Sequence, residues 1–333
     1  MEKIIREPLY EVIWAGKDVT KDVSPYLIEL RYTDNLHGKS DEIELVFEDR
    51  DSRWKSSWFP RTGDIIRVRI GLKDEVERWL NCGSFTIDEV EYHGPPDVIS
   101  IKGQSTYATA PLREHKTTAW ENTTLKQICV VIAKRNSLKP FLRIKPDIKF
   151  KRVDQKDQSD LAFLKSLCEK YGYNVKVEEE KLIVCKPEEL EKANAVAVIS
   201  RDSSDIISFR FSNKLHDTYK SCVVSYWDPK KKKMVTHVEK AKHKTASGNT
   251  LKISERVENK EQAIARAQAE LKNKNKWEWE GDLVLSGNPY LVAGANIFLK
   301  GFGKFDGKYH IETANHILSK SLGYQTSIII RRV

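Results

Sequence analysis

Strict alternation of apolar and polar residues runs through the first hundred positions of the chain. Ile43, Leu45 and Phe47 point one way, while Glu42, Glu44 and Glu48 point the other. That period of two is the mark of a half-buried antiparallel strand. Leu27 to Tyr32 behaves alike, with Ile28, Leu30 and Tyr32 inward, and so do Ile66, Val68 and Ile70 against Arg67 and Arg69. Phe85 and Ile87 keep the rhythm, but the phase then slips to Val90 and Tyr92. One extra residue near Asp88 and Glu89 produces such a slip, so a β-bulge is expected there. Residues 92–96 form a turn signal ending in Pro95 and Pro96, and a strand returns over 98–102. Short strands punctuated by turns predict a small barrel or sandwich.

The rhythm changes after about residue 105. Asn122 or Thr123 can cap a helix that puts Leu125, Ile128, Cys129 and Ile132 on one face. A second helix from about Ser159 carries Leu161, Leu164, Leu167, Cys168 and Tyr171, with Gly172 placed to stop it. Strands at 174–177 and 182–185 complete an α/β segment. A third helix, capped by Asn259 with Gln262 three residues on, carries Ile264, Ala267 and Leu271.

Laying the chain on itself reveals a repeat. Residues 27–37 fall on 206–216, matching Arg31 with Arg210, Tyr32 with Phe211, Asp34 with Asn213, and His37 with His216. The same offset continues so that Ile43, Leu45, Phe47 and Asp49 fall on Cys222, Val224, Tyr226 and Asp228. Further on, 83–88 resembles 307–312, and 63–69 resembles 294–300. The reading is therefore a mainly β protein with an α/β insert, built from two similar antiparallel β-barrels. The first barrel spans 1–104, the α/β domain 105–199, and the second barrel 200–228 with 283–333. An insertion with one helix occupies 229–282.

Composition narrows the function. The 333 residues are 40% hydrophobic and 32% charged, a folded composition. No apolar run approaches the ~20 residues of a membrane-spanning helix, and residues 1–7 lack the apolar core of a secretory signal. Five widely spaced cysteines, Cys82, Cys129, Cys168, Cys185 and Cys222, read as buried thiols, with no C-x-x-C or histidine spacing for a metal. The net charge is +9, part of it in the run Lys230 to Lys233 and a basic stretch ending near Lys244. This is read as a solvated loop in preference to a nucleic-acid patch.

The ordered set of motifs resembles the phage late control protein D family of contractile-tail baseplate hubs, and is similar to the hub portion of type VI secretion spike proteins. The residues carrying it begin with Asp34, Asp41 and Asp49, then Trp58 to Pro60, Gly63 with Asp64, and Gly83, Phe85 and Asp88. Gln155, Gln158, Asp160 and Phe163, then Tyr171 with Gly172, and Gly307, Tyr309 and His316 follow. The resemblance covers nearly the whole chain. It implies tube-type barrels, a homotrimer, a hexameric tail tube partner, a trimeric spike and other baseplate proteins. It implies assembly in the bacterial cytoplasm, a place in a virion or an extracellular tail-like particle, and no membrane anchor. Nucleic acid is at most in transit. The chain ends at Val333 after the second barrel, so the spike is expected as a separate chain.

Asp34, Asp41, Asp49, Asp64 and Asp88 could be imagined as an acid/base set. Each sits at a strand end or beside glycine, where aspartate braces a turn by accepting backbone N–H groups. No catalytic, cofactor or metal residue is assigned, and no G-x-S-x-G is present. Residues 301–307 lack the Gly-Lys-Ser/Thr ending of a phosphate loop and are expected to form a hairpin turn. Trp54, Trp58 and Phe59, beside Arg53, Lys55 and Arg61, could stack on nucleic acid, but are read in preference as candidates for a subunit interface, where Trp, Tyr and Arg are enriched. The competing readings are a tail-associated cell-wall hydrolase and a basic DNA-binding protein; neither needs two copies of a barrel.

Overall fold

The computed structural model describes residues 6–37, 39–105, 112, 114–178, 180–228, 232–241 and 248–333. Chain contacts divide the protein into two units, one of residues 1–108, 194–210 and 282–330, the other of 109–193, 211–281 and 331–333.

The first unit begins with β1 (Glu7–Trp14), β2 (Lys17–Asp18), the short helix α1 (Thr20–Val23), β3 (Leu27–Asn35) and β4 (Glu42–Glu48). It continues with β5 (Ile65–Lys73), β6 (Glu77–His93) and β7 (Val98–Ser105). These pair in the order β1-β5-β6-β7-β4-β3, all antiparallel. The register of β6 on β7 shifts between Ile87 and Glu89, where the phase of the sequence slips. Val12, Leu30, Ile43, Leu45, Phe47, Ile66, Val68, Ile70, Phe85, Ile87, Ile99 and Ile101 share one core, so the sheet curls around its own inward face.

The second unit holds β8 (His115–Thr124), α2 (Leu125–Arg135), β9 (Lys139–Leu142), β10 (Lys149–Ser159), α3 (Asp160–Lys170), β11 (Asn174–Glu178), β12 (Lys181–Cys185) and α4 (Pro187–Glu191). Thr124, not Asn122 or Thr123, caps α2: its side chain accepts the Gln127 N–H, and Gln127 answers on the Thr124 N–H. Asn122, at φ 46°, still belongs to β8. Ser159 caps α3 by accepting the Ala162 N–H. Gly172 follows at φ +78°, and a Cβ there would come within 3.2 Å of Ala269.

The chain then returns to the first sheet with β13 (Ala195–Ser200) and β14 (Ile206–Asn213). It leaves again through β15 (Ser221–Asp228), β16 (Lys233–Lys240), β17 (Thr250–Val257) and α5 (Lys260–Asn275). It ends in β18 (Trp279–Ser286), β19 (Asn296–Lys300), β20 (Gly307–Ser319) and β21 (Gly323–Arg332). Here the strand order is β13-β19-β20-β21-β18-β14, which matches that of the first copy position for position. The turn contacts repeat too. Gly63 N–H donates to Ile87 C=O at 2.8 Å, and Gly294 N–H donates to Ile311 C=O at 2.9 Å. One departure is that β13 lies parallel to β19, whereas β1 lies antiparallel to β5.

Two expectations need correction. The place of β4 in the second copy is taken by β18, with Leu283 and Leu285 inward, and not by residues 221–228. β15 instead pairs with β16 and β17 in the second unit, where Cys222, Val224 and Tyr226 pack on Ala263, Ala267 and Leu271 of α5. The two copies also do not close as barrels. Among the described residues they join into one open thirteen-stranded sheet. Closing the first copy would require β3 to meet β1, but that edge of β3 is hydrogen-bonded to β20.

Candidate functional site

Turn carboxylates and a buried histidine hold the sheet together, and the motif residues fall mostly among them. Asp49 accepts the backbone N–H groups of Trp54 at 2.9 Å and Lys55 at 3.2 Å. Asp41 accepts the Asn35 N–H at 2.9 Å, and Asp34 the Ala293 N–H at 2.8 Å. Asp64 accepts the indole N–H of Trp14 at 3.1 Å, and Asp88 stands exposed at the bulge. Gly63 and Gly83 have φ of +95° and +99°, a left-handed backbone that favours glycine. Phe85 is buried edge-on to Tyr32, and Phe163 stacks on Trp120. Gly307 opens β20, and Tyr309 donates its hydroxyl hydrogen to the Phe305 carbonyl at 3.0 Å.

His316 is fully buried on β20. Its Nε2 lies 3.1 Å from the Leu291 carbonyl, which only accepts, so Nε2 carries the hydrogen. Nδ1 then accepts from the Tyr324 hydroxyl at 2.8 Å. Burial holds the imidazole down at a pKa of about 4, against the pull of Asp34 and the Leu291 bond. The same burial pushes the Tyr324 phenol well above its ordinary value. The Tyr324 ring in turn fills the space beside Gly287, where a Cβ would lie 2.1 Å from it. Gly287→Ala is therefore expected to displace Tyr324 and cost about 1–3 kcal/mol, read as a lower urea midpoint for the first unit.

In the second unit Asp160 is fully buried. It accepts from Gln155 Nε2 and Asn136 Nδ2, both at 3.0 Å, and meets Lys116 at 3.2 Å and Arg135 at 3.3 Å. Burial alone would raise its pKa; the hydrogen bonds from Gln155, Asn136 and Lys116, with the Arg135 charge, outweigh it and hold the carboxyl low. Asp34, Asp41 and Asp49 brace backbone N–H groups and Asp64 an indole N–H, as structural carboxylates do. Among the described residues no group of three or more His, Cys, Asp or Glu is placed to hold a metal ion.

The three aromatic candidates separate. Trp54 is only 2% exposed and stacks on Phe47 at 4.3 Å, because the Asp49-braced turn folds it into the core; it is not a surface residue. Trp58 is partly buried edge-on to Trp54 and Tyr26, and Phe59 is 55% exposed. Residues 301–307 form a hairpin between β19 and β20, with Asp306 accepting the Gly301 and Phe302 N–H groups. Lys230, Lys231 and Lys244 lie outside the described residues.

A surface the motifs did not indicate lies on the end strands. Val196 and Val198 of β13 are exposed, with Phe298 opposite Val198. Ile207 and Phe209 of β14 are exposed also, and Phe209 packs edge-on to Phe302. The alternation of 195–200 and 206–211 carries this signal, but alternation does not say which face finds a neighbour within the chain.

The profile of the phage tail baseplate hub (GPD) family matches residues 76–322, which take in β6 and β7 of the first sheet copy, residues 109–193 and 211–281 of the second unit, and every strand of the second copy but β21. The chain belongs to the phage tail baseplate hub family. Two curated relatives are the probable baseplate hub proteins of Escherichia phage 186 and Escherichia phage P2. The first is 28% identical over 247 residues, covering 71% of this chain and 61% of the relative. The second is 33% identical over 181 residues, covering 54% and 45%. The hub thus matches about half the length of these relatives. In fold it is similar to the tail protein of Neisseria meningitidis MC58, with TM-score 0.72, 11% identity and coverage of 98% and 96%. It is also similar in fold to an E. coli type VI secretion component described as structurally similar to phage T4 tail proteins, with TM-score 0.59, 10% identity and coverage of 92% and 74%. The hub is a component of the baseplate of phage tails or related tail-like systems.

Proposed function

We propose that three copies of this hub close into a ring of six similar sheet modules, a non-enzymatic joint between a hexameric tail tube on one face and a trimeric spike on the other. The observation that carries the reading is the doubled strand order within one chain. Closed cyclic symmetry is the common solution for homo-oligomers. Three chains with two sheet copies each offer six similar modules to a six-fold tube while keeping a true three-fold axis for the spike. The curled sheets are the counterparts of tube-type barrels, completed by neighbours instead of by themselves. Phe59, at the rim of the Trp58 cluster, belongs to the contacts with other baseplate chains. The ring sits in a virion or tail-like particle assembled in the bacterial cytoplasm, and nucleic acid only passes through it.

Light scattering on the purified chain across a salt series tests this. A mass three times the 38.4 kDa chain, unchanged by salt, is expected. A monomer at every concentration would remove self-assembly from the reading.

A further inference from the structure

The chain contains one completed sheet junction and the two halves of another. The completed one joins the copies. β3 runs antiparallel to the C-terminal part of β20, with Asn35 opposite Thr313, Thr33 opposite Asn315, Tyr32 opposite His316 and Glu29 opposite Ser319. Tyr32 and His316 stack across it with ring centroids 6.1 Å apart.

The repeat maps β3 onto β14 and β20 onto β6. β14 lies beside β18 and ends the strand order, with Ile207 53% and Phe209 40% exposed. On β6, β5 pairs only as far as Thr86, while β7 pairs along the other side to His93. The stretch Glu89–His93 thus carries a ladder on one side, where the matching stretch of β20 also receives β3. Glu89 and Glu91 are exposed there, and Tyr92 is 38% exposed.

We propose that β14 of one copy pairs antiparallel with Glu89–His93 of β6 in a second copy of this chain, repeating between chains the junction that β3 and β20 make within one. The proposal rests on the ring assembly above and names its contact. Carrying the internal register across the repeat sets Lys214 opposite Glu89, Ser212 opposite Glu91, Phe211 opposite Tyr92 and Arg210 opposite His93. The charges at Lys214 and Glu89 are complementary, and an aromatic pair falls where Tyr32 and His316 stack. The halves differ from each other, so the contact is head-to-tail and propagates in one direction until it closes. The other end of the sheet is poorly suited to pairing. Pro8 lacks an N–H, and at Val12 the N–H donates to Thr20 Oγ1 while the C=O accepts the Val19 N–H.

The test is a pair of cysteines in the full chain, Glu91→Cys with Ser212→Cys, oxidised with diamide and run without reductant while the mass is followed by light scattering. Directly opposed residues in an antiparallel pair stand close enough for a disulfide, and the native cysteines are buried. Expected are a trimeric mass and cross-linked species up to the trimer. Neither single variant, nor Val90→Cys with Ser212→Cys, which points the two side chains to opposite faces, should cross-link. Glu89→Cys with Lys214→Cys reads the same register on exposed side chains if the first pair folds poorly. A trimer that does not cross-link, or that cross-links equally out of register, overturns the junction and leaves the ring standing. A monomer overturns the junction as a contact that the chain makes unaided and removes self-assembly from the ring reading.

Discussion

Asp160→Ala is expected to destabilise the second unit by about 3–5 kcal/mol, the cost of breaking a buried charge network by removing one member. The carboxylate is the point on which Gln155, Asn136, Lys116 and Arg135 converge. Without it Gln155, Asn136, Lys116 and Arg135 each lose a partner around a carboxylate position that water does not reach. Asp160→Asn keeps the shape but not the charge and should fall between Ala and the native residue. Because the folded pKa is depressed, this contribution is full above the ordinary carboxylate range and is lost as pH falls through the lower folded value. Trp120 stacks on Phe163, the third residue after Asp160, so urea denaturation followed by tryptophan fluorescence reads the loss. A change below 1 kcal/mol for Asp160→Ala would show that the network is dispensable.

The second large effect is acid sensitivity of the first unit. His316 moves from an ordinary pKa of 6.5 to about 4 on burial. The unfolded chain therefore binds a proton that the folded chain refuses between those values. Stability is fully present above 6.5 and is lost progressively as pH falls toward 4, by about 3 kcal/mol in all. His316→Gln removes the titration. Its melting temperature should fall less steeply than the native protein's between pH 6.5 and 4.5, although it starts lower because the Leu291 and Tyr324 contacts are disturbed. Parallel slopes for the two proteins would exclude His316 as the origin of the sensitivity.

Much of this fold is written locally. The alternation of 42–48 and 66–70, the phase slip at Ile87–Glu89, the helix start near Ser159 and the Asn259 cap all appear in the structure where the sequence puts them. Each depends on a side chain and its near neighbours. Strand partnership does not. Cys222, Val224 and Tyr226 alternate as well as Leu283 and Leu285 do, and alternation reports a buried face without naming what covers it. The gapless offset pointed to β15, while the hydrogen bonds chose β18. Closure failed for the same reason, since the edge of β3 is claimed by a strand nearly three hundred residues away. Asp160 was legible as a motif position, but Lys116 and Arg135 lie on other elements and carry no signal that they converge on it. Trp54 looked like a surface anchor by composition, and the backbone turn at Asp49 decided otherwise.

The substitution of β18 for β15 also says something about how such a chain can grow. In the first copy the link between β3 and β4 is residues 36–41; in the second, the equivalent link from β14 to β18 is residues 214–278. A connection roughly ten times longer adds only about 2 kcal/mol of loop-closure entropy. The hairpin tolerates the insertion because its two stems still pair side by side, and the inserted segment has a core of its own on α5. That hairpin tip is a permissive port. What it carries can be lengthened, shortened or exchanged without altering the pairing of β14 with β18.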